Sequence, residues 1–519
     1  LVTRILKMTQ LGNCFRGILS GLSAVRAPDG VLAASLCAYM ALSLGLSPIY
    51  AAMTSDNVIP VFVSVFKWTP FFWDDDRFGS VLPAMFAWLP VYSLNMMAQM
   101  SACIFLLLLS YYVLCKMLFG ERLDKTVFVT MALFCLCFRD RFVVFYGNGM
   151  SYAQSLGFLS LSVLSIRHAA SSRLLKRSAL VVLSLVFLLL SVWVSFNIVI
   201  LLFFVLGYMV LQSGPSWGFR ALAIQSVVVA MALLAYMLWI GMGGGAYKYS
   251  FDLSYVTVQS GVALARSAYG YFLDDALRQI VVFAGLGCAL FACRRQGKAI
   301  AVQMLFLVCF FLVEALVACS NSWVAKNGFP PRYLTVSMTL LIFFSFYHAG
   351  LLFARFSDGQ LRAMAIAVVV LFLNVPSYSS ALKSMIATDE AKANEVVALD
   401  CNLLAGQYWM AWKTAFVANV LRQHLDLPGL TLGLSNRSSV VVEYAADHEN
   451  AENFIVCVQD DADLGGAGYF LDIFHVKAHV LMKLKTMMSL AVEQLADSRF
   501  VVDEQKYFQA MQHKVASAK

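Results

Sequence analysis

Three consecutive carboxylates, Asp74, Asp75 and Asp76, followed at once by Arg77, interrupt a stretch rich in aromatic side chains. Adjacent like charges repel, so such a run persists only in water or against something cationic, and one member has its pKa raised. A carboxylate tuned upward suits a general base that takes a proton from an attacking hydroxyl. Trp68, Phe71, Phe72, Trp73 and Phe78 surround the acids and press the loop towards a membrane surface. The following residues, 78–90, read as an interfacial, amphipathic segment rather than a spanning one. The plainer alternative is a solvated loop, or acids complementing a helix N-terminus. The residues by themselves leave open which of Asp74, Asp75 and Asp76 would play such a part.

A second group of reactive side chains sits at 326–333. Two prolines, Pro330 and Pro331, fix the backbone and bring forward Lys326, Arg332 and Tyr333. A guanidinium offers a planar fork matched to phosphate or carboxylate; an Arg and Tyr anchoring a helix end is the competing explanation. Arg139 and Arg141, close to Gly147-Asn148-Gly149, form a further candidate anion-binding turn. Tyr408, Trp409 and Trp412 make an aromatic patch at helical spacing, fit for stacking on a sugar or for packing against helix ends. Asp252, Asp274 and Asp275 are carboxylates in a Tyr-rich loop, and Glu314 is an acid inside an apolar run, where charge is costly. Of the 12 cysteines, only Cys401 and Cys457 lie in a polar region, and they can pair if that region is exported.

What must position these groups is a membrane bundle. Of 519 residues, 61% are apolar and 13% charged, against about half and a quarter in soluble domains. Apolar runs of spanning length recur from Val31 to Val375, too continuous for a β-barrel. Helices are expected at Val31–Met53, Val91–Cys115, Val127–Phe138, Ser151–Ile166, Leu180–Val194, Ile198–Leu211, Leu222–Ile240, Ile280–Cys293, Ile300–Ala318, Leu334–Leu352 and Ala363–Val375, about eleven in all. The continuous run 178–212 requires a hairpin turn near Ser195-Phe196-Asn197. With the N-terminus inside, inner segments carry seventeen Lys and Arg and the outer loops nine, as the positive-inside rule demands. That topology gives a cytoplasmic basic arm (1–30), a transmembrane domain (31–376) whose first outer loop is 54–90, and an extracytoplasmic C-terminal domain (377–519). The acidic run, the Pro-Pro-Arg-Tyr turn and the C-terminal domain then share the outer face. In the last, helical patterning covers Ser380–Gln423, and Ser439–Tyr444, Phe454–Val458 and Tyr469–Phe474 alternate like strands, which suggests α+β. The basic excess belongs to helix ends and does not point to nucleic acid.

No phosphate-binding or dinucleotide glycine fingerprint occurs, so a reaction on the outer face needs an activated donor delivered by the membrane. Trp73–Pro83 (WDDDRFGSVLP), Pro331-Arg332-Tyr333 and Tyr408-Trp409-x-x-Trp412, set in this topology, resemble the GT-C superfamily of membrane glycosyltransferases, above all bacterial members that build envelope glycans. The resemblance implies an inverting hexosyl- or pentosyltransferase in the bacterial inner membrane with a periplasmic active site. Its donor would be a polyprenyl-phosphate sugar, and its acceptor a glycan, lipid or protein. An acid of the first outer loop would act as base, Asp76 beside Arg77 being favoured with Asp75 and then Asp74 behind it, and Arg77, Arg332, Lys326 and Tyr333 would hold the donor phosphate. Arg139, Arg141, Tyr408, Trp409 and Trp412 would meet substrate. No organic cofactor is implied; a divalent metal between Asp74 and Asp76 is compatible with the pattern and not required. Two alternatives stand beside it. One is a transporter or flippase of a lipid-linked saccharide, which would place polar groups along a central cavity and for which Glu314 is the clearest intramembrane acid. The other is a polymerase or ligase moving a whole lipid-linked glycan, which would share the outer-face site.

Overall fold

The computed structural model describes residues 29–73, 79–115, 124–142, 151–213, 216–242, 252–296, 298–326, 328–353, 377–406, 408–434, 440–441, 444, 455–458 and 480–483. The first membrane-sized run is shorter than its sequence suggests. Helix α1 (Asp29–Gly45) stops at Gly45, which lies so close to Ser101 that a side chain there would collide with its hydroxyl. The chain then makes a 3-10 turn at Tyr50–Ala52 and re-enters the protein as α2 (Ser55–Val65). The side chain of Asn57 accepts from the backbone N–H of Thr54 at 2.8 Å, the reciprocal half of a capping box. Ser55 through Ser64 are all buried. What reads as an outer loop therefore contains a buried helix, followed by a short one, α3 (Val81–Phe86).

Helix α4 (Tyr92–Leu114) runs through the centre of the bundle and packs on both α1 and α6 (Ser151–Ala170). Between them α5 (Asp124–Cys137) contributes Phe134 to a cluster with Tyr111, Phe343 and Phe346. Helices α6 and α7 (Leu174–Val194) form an antiparallel hairpin. Small hydroxyls join them: Ser155 donates to the carbonyl of Ser191 at 2.7 Å, and Ser162 meets Ser184 at 2.9 Å. Hydroxyl pairs of this kind fasten helices where hydrophobic contrast with the surroundings is weak. The hairpin expected around Ser195-Phe196-Asn197 is present: α7 ends at Val194 and α8 (Ile198–Ser213) begins at Ile198. The bundle continues through α9 (Trp217–Met242), α10 (Val258–Phe272), α11 (Ala276–Gln296) and α12 (Lys298–Cys319) to α13 (Ser322–Lys326) and α14 (Thr335–Ala349). Gly285 of α11 lets the helix press against the carbonyl of Ser345 in α14, where any side chain would clash.

Among the described residues, five helical segments are long and apolar enough to cross a membrane: Tyr92–Leu114, Leu174–Val194, Ala276–Arg294, Lys298–Cys319 and Pro331–Leu352. Ile224, Val227, Phe283, Leu290, Leu305 and Leu312 are exposed on α9, α11 and α12, an apolar face of the kind that lipid covers. Helices occupy each expected run from Val31 to Leu352; Ala363–Val375 lies outside the described residues.

After residue 377 come α15 (Tyr378–Ile386), α16 (Glu390–Ala398), β1 (Leu403–Ala405), α17 (Tyr408–His424), β2 (Leu432–Leu434), β3 (Ile455–Val458) and β4 (Val480–Lys483). Among the described residues the sheet order is β2-β1-β3-β4 and the three ladders are parallel. This corrects the α+β expectation to an α/β pattern, in which α17 is the crossover that a parallel β1–β2 pair requires. The expected strand at Phe454–Val458 is β3. The one at Ser439–Tyr444 is not found, since Val440, Val441 and Tyr444 are helical; Tyr469–Phe474 lies outside the described residues. Cys401 and Cys457 form the expected disulfide, with Cα atoms 5.8 Å apart, tying the approach to β1 to its neighbour β3.

Candidate functional site

Asp56 is the second residue of α2, where an acid complements the helix dipole. Its carboxylate meets groups from two distant parts of the chain. The hydroxyl of Tyr408, first residue of α17, donates to Oδ1 at 2.5 Å, and Arg332 places Nη1 3.3 Å from Oδ2. Ser55 adds a bond from its hydroxyl to the carbonyl of Tyr408 at 2.6 Å. Asp56 is buried, and the Arg332 side chain keeps 28% of its surface. One guanidinium nitrogen is engaged by the carboxylate while the fork has further donors. A buried carboxylate and a partly exposed cation with further donors thus stand side by side.

Local chemistry fixes each partner. Arg332 belongs to a 3-10 turn, Pro331–Leu334, entered through Pro330. Just before it, Gly328 and Phe329 adopt φ 71° and 57°, a left-handed conformation that a bulky side chain rarely takes. Phe329 is held there by its N–H bond to the carbonyl of Val324 at 3.0 Å. Beyond the turn, Thr335 donates to the carbonyl of Arg332 at 2.6 Å, and the carboxylate of Glu314 accepts the backbone N–H of Ser337 at 2.9 Å. Glu314, the acid within an apolar run, therefore caps the start of α14 and steadies the turn that carries Arg332. Arg332 also lies over the ring of Tyr333, 5.4 Å from its centroid.

Tyr408 is steadied by an aromatic seam. Trp412, one turn further along α17, is fully buried, with its ring 5.2 Å from Phe62 and 5.6 Å from Trp73. Phe66 extends the seam to Trp73 and Tyr444. Gly433 in β2 is required beside this ring, since a Cβ there would fall 2.7 Å from Trp412. Gln423 at the far end of α17 accepts from the N–H of Tyr92 at 2.8 Å and donates to the carbonyl of Pro90 at 3.1 Å. The C-terminal region is in this way bolted onto α2 and the start of α4.

A lattice of four charges adjoins the site. Arg278, 5% exposed, bonds Asp140 at 2.5 Å, Asp274 at 2.5 Å and the carbonyl of Cys137 at 2.8 Å. Arg141 pairs with the same two acids. Helix α10 packs on the turn bearing Arg332 and leads directly to Asp274, so the lattice and the site share a support. Tyr271 on α10 feels Arg141, Arg332 and Asp56 together, and burial pushes its hydroxyl up to about 12. Arg278→Ala strands two carboxylates on one partly exposed arginine. Because Asp140 is well exposed, the cost belongs near the lower end for a broken buried pair, about 3 kcal/mol. A thermal midpoint of the detergent-solubilised variant equal to wild type is the result that would contradict this.

The sequence-derived candidates divide clearly. Asp74, Asp75, Asp76 and Arg77 lie outside the described residues. Their loop is pinned at its base by an antiparallel bridge between Phe71 and Gly79, and by the indoles of Trp68 and Trp73, which donate to the carbonyls of Ser80 and Lys67. Arg332 and Tyr408 come together at Asp56, and Tyr333 lies against Arg332. Arg141 belongs to the lattice and Arg139 to the same turn. Lys326 is exposed at the end of α13 and has no ion pair with Asp56 among the described residues. Trp412 is a packing residue and not an open stacking surface, while Trp409 is 49% exposed with its ring 4.9 Å from Tyr408. Among the described residues no group of three His, Cys, Asp or Glu could hold a metal ion. Asp56 was absent from the sequence candidates. Its signal was the capping pattern Thr54-x-x-Asn57 ahead of an apolar run, directly after the first helix.

No protein-family model, curated protein or solved structure matches this chain.

Proposed function

We propose that this chain is a GT-C-type membrane glycosyltransferase that moves a hexosyl or pentosyl group from a polyprenyl-phosphate donor to a glycan, lipid or protein acceptor. The observation that carries this reading is the contact of Asp56 with Arg332 and Tyr408. It joins an acid placed just after the first helix, a cation at a late helix end and the C-terminal region. In the reaction the acceptor oxygen attacks the anomeric carbon, the bond from that carbon to the phosphate oxygen breaks, and configuration inverts. Asp56 takes the acceptor proton. Arg332 receives the negative charge that gathers on the departing phosphate. Tyr408 and Ser55 hold Asp56 and its neighbours in place. We place the base at Asp56 rather than at Asp76 because Asp56 meets Arg332 and Tyr408.

The reading includes eleven spans with the N-terminus inside, and an active site on the periplasmic face of a bacterial inner membrane. The Cys401–Cys457 disulfide supports that orientation, because structural disulfides persist in oxidising compartments and this one lies in the region that closes on Asp56. Glu314, the main argument for a transport pathway through the bundle, is engaged as a helix cap.

The test is made in proteoliposomes, with short-chain polyprenyl phosphates carrying labelled glucose, mannose or arabinose and a membrane extract as acceptor. Wild type forms a labelled covalent product, and Arg332→Gln lowers its turnover by about 10²–10³-fold. Movement of the labelled lipid across the bilayer with no covalent product from any donor would overturn the proposal in favour of a flippase.

A further inference from the structure

The far ends of the same helices carry a second feature. From Arg141 to Phe251 the chain contains no Asp or Glu, yet it places Arg167, Arg173, Lys176, Arg177 and Arg220 at neighbouring helix ends. These are the C-terminus of α6 and the N-termini of α7 and α9, which meet where Gly218 approaches Ile166. Tyr152, at the start of α6, neighbours Arg332. Arg167, fifteen residues further along, stands about 22 Å away at 1.5 Å per residue. Helix α7, with 21 residues, spans about 31 Å, the thickness of a bilayer's hydrocarbon core. The basic patch therefore lies at the membrane boundary opposite to Asp56.

Basic residues at inner helix ends also orient spans, but that role needs no fixed geometry. Here the geometry is fixed. The guanidinium of Arg177 lies over the indole of Trp217, 5.3 Å from its centroid, and Nε donates to the carbonyl of Ala169 at 3.3 Å. Ser172 donates to the carbonyl of His168 at 2.7 Å, closing the end of α6. The first turns of α7 and α9 contain no acid to offset their dipoles. Leu174 and Leu175, 77% and 87% exposed, stand directly between Arg173 and Lys176, and Trp217 is 41% exposed. Apolar side chains next to cations at a boundary enter the acyl layer while the cations meet the headgroups.

We propose that this junction is a binding site for an anionic phospholipid of the leaflet opposite the candidate site. Its headgroup phosphate sits among Arg173, Lys176 and Arg177, and its chains lie over Leu174, Leu175 and Trp217. The site does not depend on the glycosyltransferase reading, since none of its residues touches Asp56 or Arg332.

The full-length protein is reconstituted in phosphatidylcholine vesicles containing a small fraction of brominated phosphatidylglycerol, or of brominated phosphatidylcholine as control. Quenching of the fluorescence lost in Trp217→Phe reports occupancy. Brominated phosphatidylglycerol quenches this component at lower mole fraction than the control. The preference falls about fivefold for each cation removed in Arg173→Gln and Lys176→Gln, and it weakens as salt is raised. Both side chains are exposed, so the fold is retained in these variants. Equal quenching by the two lipids, or a preference unchanged in the Arg173→Gln/Lys176→Gln/Arg177→Gln variant, overturns the proposal. Loss of the preference on adding inorganic phosphate at constant ionic strength also overturns it, in favour of a soluble anion.

Discussion

Asp56→Asn is expected to lower sugar transfer by about 10²–10⁴-fold, the range that a positioned general base supplies, while leaving expression and membrane insertion intact. Asparagine keeps the shape of the side chain, and its oxygen can still accept from Tyr408, which now bonds Oδ1 at 2.5 Å. What it loses is the capacity to take a proton and the charge that holds Arg332. The companion measurement is Asp76→Ala, made in the same membranes with the same labelled donors. If Asp56 is the base, Asp76→Ala shows the smaller loss. An inactive Asp76→Ala beside an active Asp56→Asn would return the role to the acidic run and reduce the Asp56–Arg332 contact to an anchor.

The largest expected effect on stability comes from Trp412→Ala. This indole is fully buried between Phe62 and Trp73, and truncating a large buried aromatic costs about 3–5 kcal/mol. The damage is directional. Trp412 sits one turn from Tyr408 on α17, so loss of the seam lets the N-terminus of that helix leave Asp56. Limited proteolysis should release the C-terminal region from the bundle at protease concentrations that leave wild type whole, and transfer activity should fall with it. Retained resistance together with full activity would mean that the seam is not what brings Tyr408 to the site.

How far the fold could be read from residues depended on the length of each signal. Long apolar runs gave the bundle, and the uninterrupted stretch 178–212 gave its hairpin at Ser195–Asn197, because no single helix spans that length. Charge asymmetry grouped the 326–333 turn and the C-terminal region on one face, and the contact of Arg332 with Asp56 and Tyr408 brings them together. Short elements were lost. Strand β1 has three residues, too few for an alternation to register, so helical patterning dominated Ser380–Gln423 and the parallel sheet was missed. Val440 and Val441 favour strands by type and lie in a helix, since β-propensity yields to packing. Asp56 was overlooked because α2 follows α1 so closely that an apolar helix and a re-entrant one merge in the hydropathy pattern. Arg332 was legible because two prolines announce a fixed turn, and the cysteine pair because most of the other cysteines lie within apolar segments.

The central claim is that Asp56 and Arg332 face the reacting bond of a lipid-borne sugar. The most direct measurement is an experimental density map of the full-length protein with a non-hydrolysable polyprenyl-phosphonate sugar bound. The account predicts the phosphonate oxygens within hydrogen-bond distance of the Arg332 guanidinium, and the anomeric carbon on the side of Asp56. A phosphonate held at Arg77, with Asp56 still closed on Arg332 and Tyr408, would contradict it.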